Sequence, residues 1–61
     1  MKDQDIINEA YQDAVKKLFA VFYTSLIDAG NNQGQIDAAK QNFKAGIAKA
    51  RSSRDAAIAL L

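Results

Sequence analysis

The chain has no cysteine, no histidine and no proline, and only three of its 61 residues are glycine. Without cysteine there is no disulfide framework, and without histidine as well the usual zinc and haem sites are excluded. The missing proline removes the strongest helix breaker, and the glycines are confined to Gly30, Gly34 and Gly46. A long hydrophobic run is also lacking. The longest, Leu18 to Ile27, spans ten residues and includes Thr24 and Ser25, whereas a membrane span needs roughly 20. Met1 to Asp5 is acidic and lacks the basic-then-apolar order of a secretory signal. A soluble cytoplasmic protein is therefore expected.

Catalytic motifs are missing too. Ser25, Ser52 and Ser53 have no base at a recognisable spacing, and Gly30-x-x-x-Gly34 leads into no Lys-Ser/Thr pair that would make a phosphate loop. Neither an enzyme nor a cofactor is expected. Asp5, Glu9 and Asp13 recur every fourth residue, but carboxylates projecting outward from one helix give no enclosing shell for a cation. They predict a solvated acidic face and no metal site.

What remains is 49% apolar, rich in alanine and free of breakers, a composition that reads as all-α. From about residue 3 to 29, helical periodicity gathers Ile7, Tyr11, Ala14, Leu18, Phe22 and Ala29 in one sector, flanked by Val15 and Val21. Asp3 and Asp5 stand where acidic groups cap free N–H groups and suit the helix dipole. Gly30 is placed to end this helix in a left-handed conformation. In the hinge, about residues 30 to 32, Asn32 is placed to cap the next helix, with Gln35 completing a capping-box pattern; Asn31 could serve instead.

The second helix is predicted from about 33 to 59. Ile36, Phe43, Ala50 and Ala57 form a seven-residue repeat, the spacing of a coiled-coil seam. Ala39, Gly46, Ala50, Ser53 and Ala57 line one edge, where a neighbouring helix can come close. A break at Ser52-Ser53 would leave too short a second piece to stand alone, so one continuous helix is expected. Folding at the hinge pairs residues whose numbers sum to about 65, so that apolar positions meet along the whole length. The fold class is thus an antiparallel two-helix hairpin.

Such a hairpin has little core, near the lower limit for a domain that stands by itself. Phe19, Tyr23, Leu26 and Ile27 follow i, i+4, i+7, i+8 spacing and form a second apolar stripe. Monomers seldom leave such stripes open. The expectation is a homodimer closing into a four-helix bundle, with Phe19, Phe22, Tyr23, Leu26, Ile27 and Phe43 at the oligomer interface. A hetero-partner helix would suit the same surface. The function this implies is a small, non-enzymatic interaction module of structural or regulatory kind.

Charge supplies the alternative. The formal net charge is +1, yet Lys2 to Asp13 carries one base and four acids, and Asn31 to Leu61 five bases and two acids. Lys40, Lys44 and Arg51 share one side of the second helix, with Arg54 nearer its apolar sector. Such a basic stripe suits the phosphates of a nucleic acid. Equally, Lys49, Arg51 and Arg54 would lie opposite Glu9, Asp13 and Tyr11 as local counter-charges, the Arg54 stem lying along Tyr11. A membrane-surface role for the aromatic flank would call for a strongly basic face beside it, whereas Asp5, Glu9 and Asp13 share its helix.

In length and inferred architecture the chain resembles the Rop family of small helical hairpins, which dimerise into four-helix bundles and bind paired plasmid RNAs. The resemblance implies a dimeric bundle; it covers shape alone, so no functional residue is carried over.

Overall fold

A computed structural model describes residues 2–61 as two helices, α1 (Asp3–Ala29) and α2 (Gln33–Ala59), folded into an antiparallel all-α hairpin. Among the described residues, neither helix is long and apolar enough to cross a membrane. Lys2, in extended conformation, is the N-cap of α1 and its side chain makes no cap hydrogen bond. Asp3 and Asp5 are therefore first-turn residues acting through the helix dipole, not caps.

The reversal is a tight turn of a different kind from the left-handed cap expected. Gly30 has φ 57° and ψ −117°, the region of the first central position of a type II′ turn. The turn closes through Asn32 N–H donating to the Ala29 carbonyl at 2.9 Å, and Gly30 N–H donates to the carbonyls of Leu26 and Ile27 at 3.3 Å each. A Cβ is strained at that φ, which accounts for glycine here. Asn32 caps α2, its Oδ1 accepting from Gln35 N–H at 3.0 Å. The reciprocal half of a capping box does not form, because the Asn32 N–H is already committed to Ala29. Gln33 instead donates to Asp37 Oδ1 at 2.9 Å.

The α2 helix runs unbroken through Ser52-Ser53. Hydroxyls in both helices fold back on their own backbone: Thr24 donates to the Ala20 carbonyl at 3.0 Å, Ser25 to Val21 at 2.8 Å and Ser52 to Lys49 at 3.4 Å. That satisfies them within the helix and explains how Thr24 and Ser25 fit in the most apolar stretch.

The helices meet in the register that sums to about 65. Phe22 and Phe43 stack with centroids 4.7 Å apart, and the Arg54 guanidinium carbon lies 4.5 Å from the Tyr11 ring centroid. At Gly46 the approach is close: a Cβ there would sit 2.5 Å from Leu18 Cδ2, so the leucine rests on bare backbone. Only Ala29 and Ala39, in the half nearer the turn, are buried among the described residues. Ile7, Leu18, Phe22, Phe43 and Ile47 are half-buried, because a single neighbouring helix covers only one side of each.

The molecule is consequently a slab. Its Cα extents are 45 × 17 × 6 Å, the thin dimension being that of one helix. The radius of gyration is 14.3 Å, against about 10.5 Å for a compact domain of this length.

Candidate functional site

With one layer of helix, every surface residue belongs to one of two broad faces or to an edge. Which face a residue joins follows from the side of the seam on which it lies. In an antiparallel pair, residues just after the seam in the sense of rotation on α1 share a face with those just after it on α2.

The first face is grooved. Three depressions run along it from the chain ends to the turn. The largest, about 580 Å³, is lined by Ala10, Ala14, Gly46, Ala50, Ser53 and Ala57 together with Ile7, Tyr11, Leu18, Lys49 and Arg54. A smaller one of about 120 Å³ follows at Leu18, Val21, Ser25 and Asn42, against the Phe22–Phe43 stack. The third, about 390 Å³, lies by Ser25, Asp28, Ala38 and Asn42. The groove exists because alanine, glycine and serine leave the space that Leu or Phe would fill. The small edge of α2 was legible in the sequence, and Ala14 belongs to the α1 sector that periodicity gathers; Ala10, which pairs with it at i, i+4, was not singled out.

The second face is convex in the sense that large exposed side chains project from it, and it carries both the aromatic stripe and the basic stripe. Phe19 and Tyr23 are each 57% exposed and Ile27 62%, while Leu26 is half-buried at the seam. The Phe19 and Tyr23 rings are near-parallel, with centroids 6.3 Å apart and an interplanar angle of 23°. From α2, exposed Lys40, Lys44 and Arg51 fall on the same face by helical periodicity. Asp37 and Asp55 stand at its outer border, each engaged by a neighbour, Gln33 and Arg54 respectively.

The residues singled out from sequence thus divide. Phe22 and Phe43 face each other inside the hairpin and form the septum between the two faces. Arg54 is held in the seam: its guanidinium covers Tyr11 while Nε lies 3.0 Å from Asp55 Oδ1. That is the cation–π use of an arginine stem and head, and it takes Arg54 out of line with Lys40, Lys44 and Arg51. The expected counter-charge pairing of Lys49, Arg51 and Arg54 with Glu9 and Asp13 does not form. The ion pair among the described residues is Arg54–Asp55, within α2. Glu9 and Asp13 are exposed on the side of α1 turned away from α2, beyond reach of its bases.

No protein-family model, no curated protein and no solved structure matches the chain.

Proposed function

We propose that this protein is a small non-enzymatic interaction module that works as a homodimer, two hairpins stacking into a four-helix bundle. The observation that carries this reading is the missing second layer. Stable domains bury a face against another layer, and here each face of a one-helix-thick slab is open. The accessible surface is 4740 Å², against about 3900 Å² for a compact monomer of this mass. The excess, about 800 Å², is what each partner contributes to a standard protein–protein interface. A second copy satisfies that need with closed symmetry and no further gene product; a helix from another protein would have to supply the same area. The hydroxyls of Ser25 and Ser52, committed to backbone carbonyls, support a role through surfaces and not through nucleophilic chemistry.

Sedimentation equilibrium over a wide concentration range tests the proposal. The expected result is a dimer whose dissociation on dilution lowers the far-ultraviolet helical signal. A fully helical monomer at every concentration would overturn it.

One observation favours a second reading, a nucleic-acid-binding regulator. Lys40, Lys44 and Arg51 share their face with the exposed rings of Phe19 and Tyr23, and cations beside stackable rings are the equipment of single-strand binding. This reading expects retention of single-stranded RNA or DNA that weakens steeply with salt. No retention at low salt would dispose of it.

A further inference from the structure

We infer that the second copy sits on the grooved face, so that the dimer buries the small-residue groove and presents the aromatic and basic face on both of its outer sides. This rests on the homodimer proposed above and adds which surface makes it.

Area alone does not choose between the faces; charge does. Lys40, Lys44 and Arg51 project from the body of the convex face, whereas its acids stand at the outer borders, Asp37 and Asp55 already engaged by Gln33 and Arg54 and Asp5 on the far flank of α1 by periodicity. Stacking another hairpin there would therefore strip water from three cations. Repeating that face across a two-fold axis brings six cations together, since an isologous interface doubles whatever it contains.

The grooved face has the opposite character. Its floor is Ala10, Ala14, Gly46, Ala50 and Ala57, with Leu18 between. Its charged residues, Lys49 and Asp28 in the depressions and Lys17 by periodicity, have room at the borders for their heads to stay in water. The groove also brings its own filling. Val21, 66% exposed, lies at the central depression, and Ile6, 51% exposed, falls on the same side by helical periodicity. These branched side chains are the knobs, and the alanine and glycine positions of a second copy are the holes, as in close-packed helix bundles.

The groove is also long enough. Its depressions extend from Ala57 near the chain ends to Gln35 at the turn, so a whole second hairpin can lie against it and recover the missing area.

The test compares two double substitutions by sedimentation equilibrium. Ala10→Glu with Ser53→Glu places carboxylates in the groove; both positions are exposed in the isolated hairpin, so folding of the hairpin itself is spared. Phe19→Glu with Tyr23→Glu does the same to the convex face. The expected result is self-association weakened by at least about 30-fold in the groove variant, the effect of losing an interface hot spot, and a dimer retained in the convex-face variant. A dimer that survives the groove substitutions but dissociates on the aromatic ones overturns this inference and leaves the homodimer standing. A wild-type chain that is monomeric throughout defeats both.

A second measurement covers the case in which a variant fails to fold. The chain has no thiol of its own, so Ser53→Cys and Tyr23→Cys each offer one site for a spin label. Immobilisation of the label at position 53 and not at position 23, on raising concentration, supports the grooved interface; the reverse pattern contradicts it.

Discussion

The two faces of the hairpin are drawn from the same pair of 27-residue helices, yet one is a trough of alanine, glycine and serine and the other a ridge of rings and cations. Each face takes one flank of α1 and one of α2. The α1 flank that holds Phe19 and Tyr23 is the more apolar when that helix is considered by itself. Laid beside α2, it becomes the more highly charged face of the molecule, because the flank it joins carries Lys40, Lys44 and Arg51. Bulk on one helix therefore does not set the character of a face by itself; that is the sum of two flanks, and the fold alone determines which two are added.

The comparison is broken most severely by removing the septum. Phe43→Ala deletes the ring stacked on Phe22, the one aromatic pair shared by both faces. Full burial of Phe is worth 3–5 kcal/mol on truncation, so about 2–3 kcal/mol is expected for this half-buried pair. Thermal melts followed by circular dichroism would show it, and a change below about 0.5 kcal/mol would mean the stack is not the core of the hairpin. Next comes Gly30→Ala. A side chain at φ 57° should destabilise by about 1–2 kcal/mol, and the same melts at fixed concentration report it. The type II′ turn is what sets the two flanks side by side, so a substitution there touches both faces equally.

Two smaller effects separate the seam from the ridge. Arg54→Met keeps the stem but removes the charge above Tyr11, at an expected cost of about 0.5–1 kcal/mol, with nucleic-acid retention unchanged. Lys44→Ala should do the converse, leaving the melting curve in place and lowering the slope of log affinity against log salt by about one. Equal effects of the two on retention would return Arg54 to the basic stripe. For Gly46→Ala two opposing effects leave a small net change in stability. A Cβ there displaces the end of Leu18, but that side chain can swing toward the open groove, and alanine recovers about 0.5–1 kcal/mol of helix propensity. A shift within about 1 kcal/mol of wild type is expected; a much larger loss would mean that Leu18 has nowhere to go.

Much of the hairpin is legible in the residues. The seven-residue recurrence of Ile36, Phe43, Ala50 and Ala57, the matching stripe from Ile7 to Ala29 and the cap at Asn32 are local signals with local causes. The cation above Tyr11 follows from the register once the hinge is known. The turn type was not legible, because glycine at position 30 is compatible with more than one positive-φ closure and the hydrogen bond from Asn32 to Ala29 decides between them. The absence of cross-helix ion pairs was legible in the helical angles, which put Glu9 and Asp13 on the solvated side of α1 away from the sector that meets α2, so the opposite net charge of the two segments misled.

Helix periodicity, the breaker-free composition and the single glycine-containing hinge determine by themselves that this chain is two amphipathic helices folded back on each other, since those properties depend on spacing along one strand of residues. That the small edge of α2 joins Ala10 and Ala14 to make a groove, and that the rings of α1 share a face with the cations of α2, was decided only in three dimensions. Spacing gives each residue an angle about its own axis; only packing against the second axis gives that angle a side.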